Sequence, residues 1–291
     1  MTADRLLRWL LGAYLALFFA YLFLPLVFMV TAAFNDSRFP TMLPWQGFTT
    51  RWFWGFDSRG RASGLLQDPR MLQAIGNSVL IGLGVILLSV PLGLGGALVL
   101  HHLRSRAKSL IYAVLVSPIL TPGVILGIST LVFWQQTLGI GGGLFLTIVA
   151  QSTFIAAYAM LLILARLERF DPTLEEAALD LGASHAQVVR RVLLPFLQPA
   201  ILSAAMLAFL QSFENYNTTL FTIGTADTMT LNIATRVRLG LTPAINAIGV
   251  LLITLTVVGA VAYEALRRRE AARVAAAARP ATATRPALAA G

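Results

Sequence analysis

Six long apolar blocks dominate the chain, over residues 9–34, 74–100, 110–133, 143–165, 199–223 and 244–266. Each is long enough to cross about 30 Å of hydrocarbon at roughly 1.5 Å of helix rise per residue. Inside lipid an unpaired backbone group has no water to bond, so spanning segments of this kind must be helical. The alternative, buried helices in the core of a large soluble protein, fails on block length. Charge agrees. Only 12% of the 291 residues are charged, against about 25% in a soluble domain, which leaves too little polar surface to keep such a chain in water. The expectation is an all-α membrane protein with six transmembrane helices over 1–272. The segment 273–291, built largely of Ala, Pro, Thr and Arg, reads as a disordered tail with no assigned role. Arg5 and Arg8 precede the first block as they would a signal peptide. The apolar stretch is about twice the usual 7–15 residues of a signal core, so an uncleaved anchor is expected.

Six spans put both termini on one side, and arginine decides which. Arg5 and Arg8 flank the first span. Arg104, Arg106 and Lys108 occupy the second connection, Arg166, Arg169, Arg190 and Arg191 the fourth, and Arg267, Arg268 and Arg269 follow the sixth span. The opposing short connections hold none (134–142) or only Arg236 and Arg238 (224–243). The positive-inside rule places both termini in the cytoplasm. The first outer loop, 35–73, cuts against this with Arg38, Arg51, Arg59, Arg61 and Arg70, partly offset by Asp36, Asp57 and Asp68, but four short flanks outvote one long loop. Its aromatics Trp45, Trp52, Phe53 and Trp54 suit a cap lying at the membrane interface. The net charge of +9 points to topology and anionic headgroups rather than nucleic acid.

Several chemistries are excluded. Without cysteine there is no disulfide framework and no thiolate. The three histidines, His101, His102 and His185, fall in polar connections, so no histidine metal site inside the membrane is expected. A phosphate-binding loop needs glycines and a lysine followed by Ser or Thr, and the sole lysine, Lys108, sits in RSRAKSL with no glycine nearby. No Gly-x-Ser-x-Gly elbow is present. The chain reads as neither an ATPase nor any other enzyme, with no cofactor of its own. Pro91 and Pro122 predict local kinks in spans two and three, and Gly82, Gly93, Gly95 and Gly96 would let helices approach closely.

The fourth connection, RLERFDPTLEEAALDLGASHAQVVRRVLLPFLQP, carries the most information. Thr173 and Glu176 have capping-box spacing, after which Leu174, Ala177, Ala178 and Leu181 share one side. Gly182 is placed to end that helix in a left-handed conformation. Ser184 and Gln187 repeat the capping-box spacing. Val188, Val189, Val192 and Leu193 give a second apolar stripe, which Pro195 is expected to stop. The residues alone leave two readings of this helical hairpin: an amphipathic pair resting on lipid, or an element presented to a partner.

Glu176-Ala177-Ala178, three residues, Gly182, nine residues, then Val192-x-Leu194-Pro195 resembles the EAA signature of binding-protein-dependent ABC importer permeases, with Val192 where that family usually has Ile. The resemblance implies the type I ABC importer permease fold, with a cytoplasmic coupling-helix hairpin between spans four and five. Glu176, Ala177, Ala178 and Gly182 would dock on an ATP-binding subunit, and Leu194 and Pro195 would anchor the return into span five. FNDSRFP (34–40), IGNS (75–78), FENYNTTLFTIG (213–224) and TLNIATRVRLGLTPAINAIG (230–249) look like the spermidine/putrescine branch of these permeases. The implied partners are ABC ATPase subunits carrying ATP and Mg²⁺, a homologous second permease in a heterodimer, a periplasmic solute-binding protein and membrane lipid. The implied location is the bacterial inner membrane.

Span five holds the one conspicuous polar group within a predicted span, running from Gln211 through Thr219. Charge in a membrane is costly and faces protein or water, so Glu214, Asn215, Tyr216 and Asn217 are candidates for a cationic solute's path. Glu214 could instead pair with Arg236 or Arg238, leaving the amides to hold helices together. Two other functions fit parts of the pattern. An ion-coupled secondary carrier would need more buried ionisable residues than Glu214, and a membrane anchor or assembly factor would leave the polar fifth span unexplained.

Overall fold

The computed structural model describes residues 3–55, 64–239, 243–258 and 261. They belong to two compact units, one of residues 68–240 and one of residues 1–67 with 241–291. All regular structure among the described residues is helical apart from one isolated bridge, Asn35 to Phe48.

The 68–240 unit is built on α3 (Pro69–His102), α6 (Leu144–Leu167) and α8 (His185–Phe213). Asp68 starts α3 by accepting the amide hydrogens of Arg70 and Met71, each at 3.1 Å, with Pro69 pre-set for the first helical turn. The helix runs unbroken through Pro91 to His101 and His102, so these histidines end a helix instead of lying in the connection. Gly84 faces Ile148, Gly93 faces Ala159 and Met160, and Gly96 faces Met160. The register rises together along both helices, so α3 and α6 run parallel. A Cβ on Gly93 would lie 2.7 Å from both the Ala159 Cβ and the Met160 nitrogen. Gly82 likewise abuts Phe209 of α8, whereas Gly95 faces open space and brings nothing close.

Two apolar clusters fill the bundle. At the far end of α3, Leu100 joins Ile163, Leu167, Phe170, Leu193 and Leu197. Nearer its start, Ile81 and Val85 pack with Ile155, Ala208 and Ile223. The same pairings show α8 running antiparallel to α3.

The third and fifth blocks depart from expectation. The third is two helices, α4 (Lys108–Leu120) and α5 (Gly123–Leu138), meeting at 101° instead of one kinked span. Pro122 forces the residue before it out of the helical region. Thr121 is accordingly extended, at φ −84° and ψ 128°. The fifth block was expected over 199–223 with Pro195 as a stop. Instead α8 begins at His185 and passes through Pro195. The Leu194 amide bonds to the Val189 carbonyl, five residues back, in a π segment over Val189–Leu193. That wider turn relieves the crowding a proline ring imposes on the carbonyl four residues earlier. The helix then stops at Phe213, and after an irregular stretch one further turn, α9 (Thr219–Thr222), precedes α10 (Met229–Leu239).

The other unit contains α1 (Ala3–Phe34), the single turn α2 (Arg51–Trp54) and α11 (Ala244–Val258). Asn35 organises the loop after α1. Its side chain donates to the Thr41 and Pro44 carbonyls and accepts from the Gln46 amide, while its own carbonyl accepts from the Trp52 indole. Trp52 and Phe53 pack with Ala33 and Ala247, so these aromatics form a core, whereas Trp45 and Trp54 stay exposed. Among the described residues four helices are long and apolar enough to cross a membrane, and the bent α4–α5 pair adds a fifth; α11 covers the described part of the sixth block. The end of that block and the 273–291 tail lie outside the described residues.

Candidate functional site

The hairpin of residues 166–199 projects from the end of the bundle where α3 finishes. Its base is held by Arg166, whose guanidinium lies 4.4 Å from the Phe196 ring centre and whose Nε donates to the Phe196 carbonyl at 3.4 Å. Phe170 meets Phe196 edge to face at 5.1 Å. Val188, Leu193 and Leu197 are buried, while Leu194 is half-buried and Pro195 exposed. The return into the bundle is therefore pinned by the neighbours of Leu194 and Pro195 more than by those two residues.

The first hairpin helix, α7 (Thr173–Asp180), buries none of its residues. Its start differs from the expected capping box. Thr173 is already helical, and Asp171 supplies the cap, its carboxylate accepting from the Thr173 amide at 3.0 Å and hydroxyl at 2.8 Å. Those two bonds hold the Asp171 carboxyl below its ordinary pKa. Asp171 takes the Thr173 amide that the Glu176 side chain would accept in a capping box, and it turns the Thr173 hydroxyl into a donor to the same carboxylate. The far end follows expectation. Gly182 has φ +83°, the Gly182 amide bonds to Leu179, and the Ala183 amide bonds to Ala178. This is the paired closure of a Schellman motif. Ser184 and Gln187 form their capping box. Glu176 and Ala177 are exposed and Ala178 half-buried. The apolar side of this turn faces outward, with Leu181 at 90% and Leu174 at 52% exposure.

The second candidate group lies at the opposite end of α3, where two interruptions meet. Gly123, just after the α4–α5 bend, receives the Thr218 hydroxyl on its carbonyl at 3.2 Å. Its missing Cβ would sit 3.2 Å from Asn217. Gly127 lies against the Thr218 backbone, where a Cβ would come within 2.8 Å of the Thr218 carbonyl oxygen. Glu214 caps the end of α8, not the interior of a span, and is exposed. It does not pair with either expected arginine. Arg236 binds Asp68 and Asn232, and Arg238 donates to the Tyr216 hydroxyl at 3.0 Å. Asn215 caps the following turn, its side-chain oxygen accepting from the Thr218 and Thr219 amides. Of the four expected path residues, Glu214 and Asn217 are exposed, Asn215 is committed to backbone bonds and Tyr216 to Arg238.

Sequence reasoning passed over the polar residues that hold this region together. Gln151, 1% exposed inside α6, accepts from Ser212 at 2.5 Å and donates to Thr219 at 2.8 Å. Span five is therefore not the only span with a polar group, and the signal was a lone amide in an otherwise apolar run. Thr222 donates to Thr147, Asn77 to the Asp227 carbonyl and Asn232 to the Asp227 carboxylate. Asp68 has a lowered pKa: burial pushes it upward, but Arg236 and the Met71 and Arg70 amides outweigh that. Among the described residues no group of His, Asp or Glu side chains is arranged to hold a metal ion.

Comparison with known proteins places this geometry in context. The model of a family described as binding-protein-dependent transport system inner membrane component matches residues 89–271. The chain is 30% identical over 266 residues to the spermidine/putrescine transport system permease protein PotC of Escherichia coli K12, covering 91% of this chain and 95% of that one. It is 32% identical over 267 residues to the putrescine transport system permease protein PotI of the same strain, covering 89% and 91%. Among solved structures it is similar to a bacterial ABC transporter involved in import of the acidic polysaccharide alginate, with TM-score 0.64, 14% identity, and 92% of this chain and 98% of that chain covered. The MetNI methionine ABC transporter gives TM-score 0.56 and 21% identity over 69% of this chain and 95% of that one. These structural likenesses carry the fold.

Proposed function

Because this chain belongs to the binding-protein-dependent transport family of inner membrane components, we propose that it forms the path by which an ATP-driven importer moves a small polyamine-like cation inward. A transport subunit of that family is not an enzyme. The observation that carries the polyamine reading is the near full-length likeness to PotC and PotI. The family assignment favours this reading over an ion-coupled carrier.

In this reading six spans cross the bacterial inner membrane with both termini in the cytoplasm. ABC ATPase subunits bind ATP and Mg²⁺, and a homologous second permease completes the path as a heterodimer. A periplasmic binding protein delivers the solute. The alginate transporter has been solved in complex with a pentasaccharide-bound periplasmic protein, which supports a division of labour of that kind. The hairpin is the mechanical input: Glu176, Ala177, Ala178 and Gly182 dock on the ATPase, and Leu194 and Pro195 anchor its return along α8 into the bundle. The exposed Leu181 and Leu174 support docking, since apolar side chains outside the bundle are stabilised when a groove covers them.

The substrate path passes Glu214. Its carboxylate and the exposed Asn217 stand at paired helix interruptions, where backbone carbonyls at the ends of α4 and α8 add negative potential. Asn215 and Tyr216 shape the path from behind. ATP-driven closure of the ATPases would rock the paired permeases between inward- and outward-facing states.

Glu176→Lys and Gly182→Asp, which reverse or add a charge on the surface offered to the ATPase without straining the turn, test the coupling role. Both are expected to abolish ATP-dependent uptake in proteoliposomes while membrane insertion and assembly with the second permease persist. Normal uptake in both variants would remove the hairpin from the mechanism.

A further inference from the structure

A cavity of about 440 Å³ opens where α3 ends, α4 begins and α6 ends. Its wall carries His101, Ser105, Arg106, Lys108, Ser109 and Tyr112, with one carboxylate, Glu168, on the α6 side. We propose that this cavity holds the headgroup of an anionic phospholipid, phosphatidylglycerol in class.

Three observations converge. Two fixed cations face a single carboxylate, and two serine hydroxyls and a phenol add donors, a composition that suits a phosphodiester better than an acid or an apolar group. Arg106 and Lys108 are exposed and form no ion pair among the described residues, so they are free to bind. His101 adds an imidazole to the same wall. The third observation selects lipid over free phosphate. Leu110 and Val114 follow Arg106 at successive steps of four residues and are 68% and 62% exposed. Basic head contacts followed by an exposed apolar track along α4 match an amphiphile, whereas inorganic phosphate has no use for the track.

The site stands beside the coupling hairpin. Glu168 on the cavity wall stands at the base of the 166–199 hairpin, so a bound headgroup would also add negative potential there. The lipid site does not depend on the solute or on the docking role, and its test reads lipid directly.

The experiment uses the assembled importer in nanodiscs containing dioleoylphosphatidylglycerol and phosphatidylcholine, extracted gently and weighed by native mass spectrometry. Wild type is expected to retain phosphatidylglycerol. The exposed double variant Arg106→Gln/Lys108→Gln should retain it roughly thirtyfold less well, at about fivefold per basic residue. Lys108→Arg should keep it. Arg5→Gln/Arg8→Gln, which removes the same charge elsewhere, should leave retention unchanged. Equal loss in that control, or full retention in the double variant, would overturn the proposal. So would displacement of the lipid by millimolar inorganic phosphate, which would mark a free-phosphate site. A photo-crosslinker at Ser109 should capture labelled phosphatidylglycerol; capture of an ATPase subunit instead would assign the cavity to protein docking.

Discussion

Replacing Gly182 in a graded series separates the turn from the surface it presents. The residue sits at φ +83° with no atom within 4 Å of where a Cβ would stand, so within this chain a side chain costs backbone strain and no clash. Holding a non-glycine residue left-handed costs roughly 1–2 kcal/mol, with alanine near the lower figure and a β-branched residue near the upper one. Asparagine tolerates the conformation and pays less. If the hairpin must hold this turn to dock, its competent fraction falls by at most the same free energy. That sets ceilings of about fivefold for Gly182→Ala and about thirtyfold for Gly182→Val, with Gly182→Asn close to wild type. The assay is solute-stimulated ATP hydrolysis by the assembled importer in proteoliposomes, titrated with ATPase subunit to read apparent affinity. An order of wild type, Asn, Ala, Val supports the turn argument. Asn as damaging as Val would refute it, because the penalty would then come from contact with the partner and not from the backbone.

Other outcomes follow from the same geometry. Glu214→Gln is expected to slow uptake of a dicationic polyamine several-fold while leaving basal ATP hydrolysis intact, and unchanged uptake would remove the carboxylate from the path. Gln151→Leu leaves Ser212 and Thr219 without their buried partner, so the chain should lose about 1–3 kcal/mol of stability, read as a lower midpoint of thermal aggregation in detergent. The Asp68–Arg236 pair is expected to show a coupling of about 1 kcal/mol in a double-mutant cycle of Asp68→Asn and Arg236→Gln. Because the Asp68 pKa is depressed on folding, that stabilisation is present above the unfolded value of 3.8 and lost as pH falls through the lower folded value. Stability that rose on acidification through that range would contradict the sign.

Apolar block length located most of the helices because lipid exposure demands long uninterrupted runs, and that demand is written residue by residue. Where the chain breaks is a different matter. Pro91, Pro122 and Pro195 all lie in apolar surroundings, yet the first is passed without interruption, the second makes a 101° bend and the third is absorbed by a π turn. Proline removes one donor and one conformation in every case. Whether the helix then continues depends on what packs against the freed carbonyls, and that is tertiary information. At the Pro122 bend, the glycines at 123 and 127 let the Thr218 turn approach and take up the Gly123 carbonyl.

The hairpin was legible for a related reason: caps are local. Gly182 and the Ser184–Gln187 box act within a few residues of themselves, and only the Thr173 amide went the other way, to Asp171 instead of Glu176. The polar region around Glu214 was half legible, since composition marks where polar residues occur along the chain but not whom they meet. Asn215 and Glu214 are adjacent in sequence and look alike as membrane residues. Asn215 spends its side-chain oxygen on the Thr218 and Thr219 amides, while the two arginines that could have paired with Glu214 bond instead to Asp68, Asn232 and Tyr216. If Glu214 lines the solute path as proposed, its carboxylate keeps the negative potential a cation needs, because Arg236 is held by Asp68, 146 residues before Glu214 in the chain.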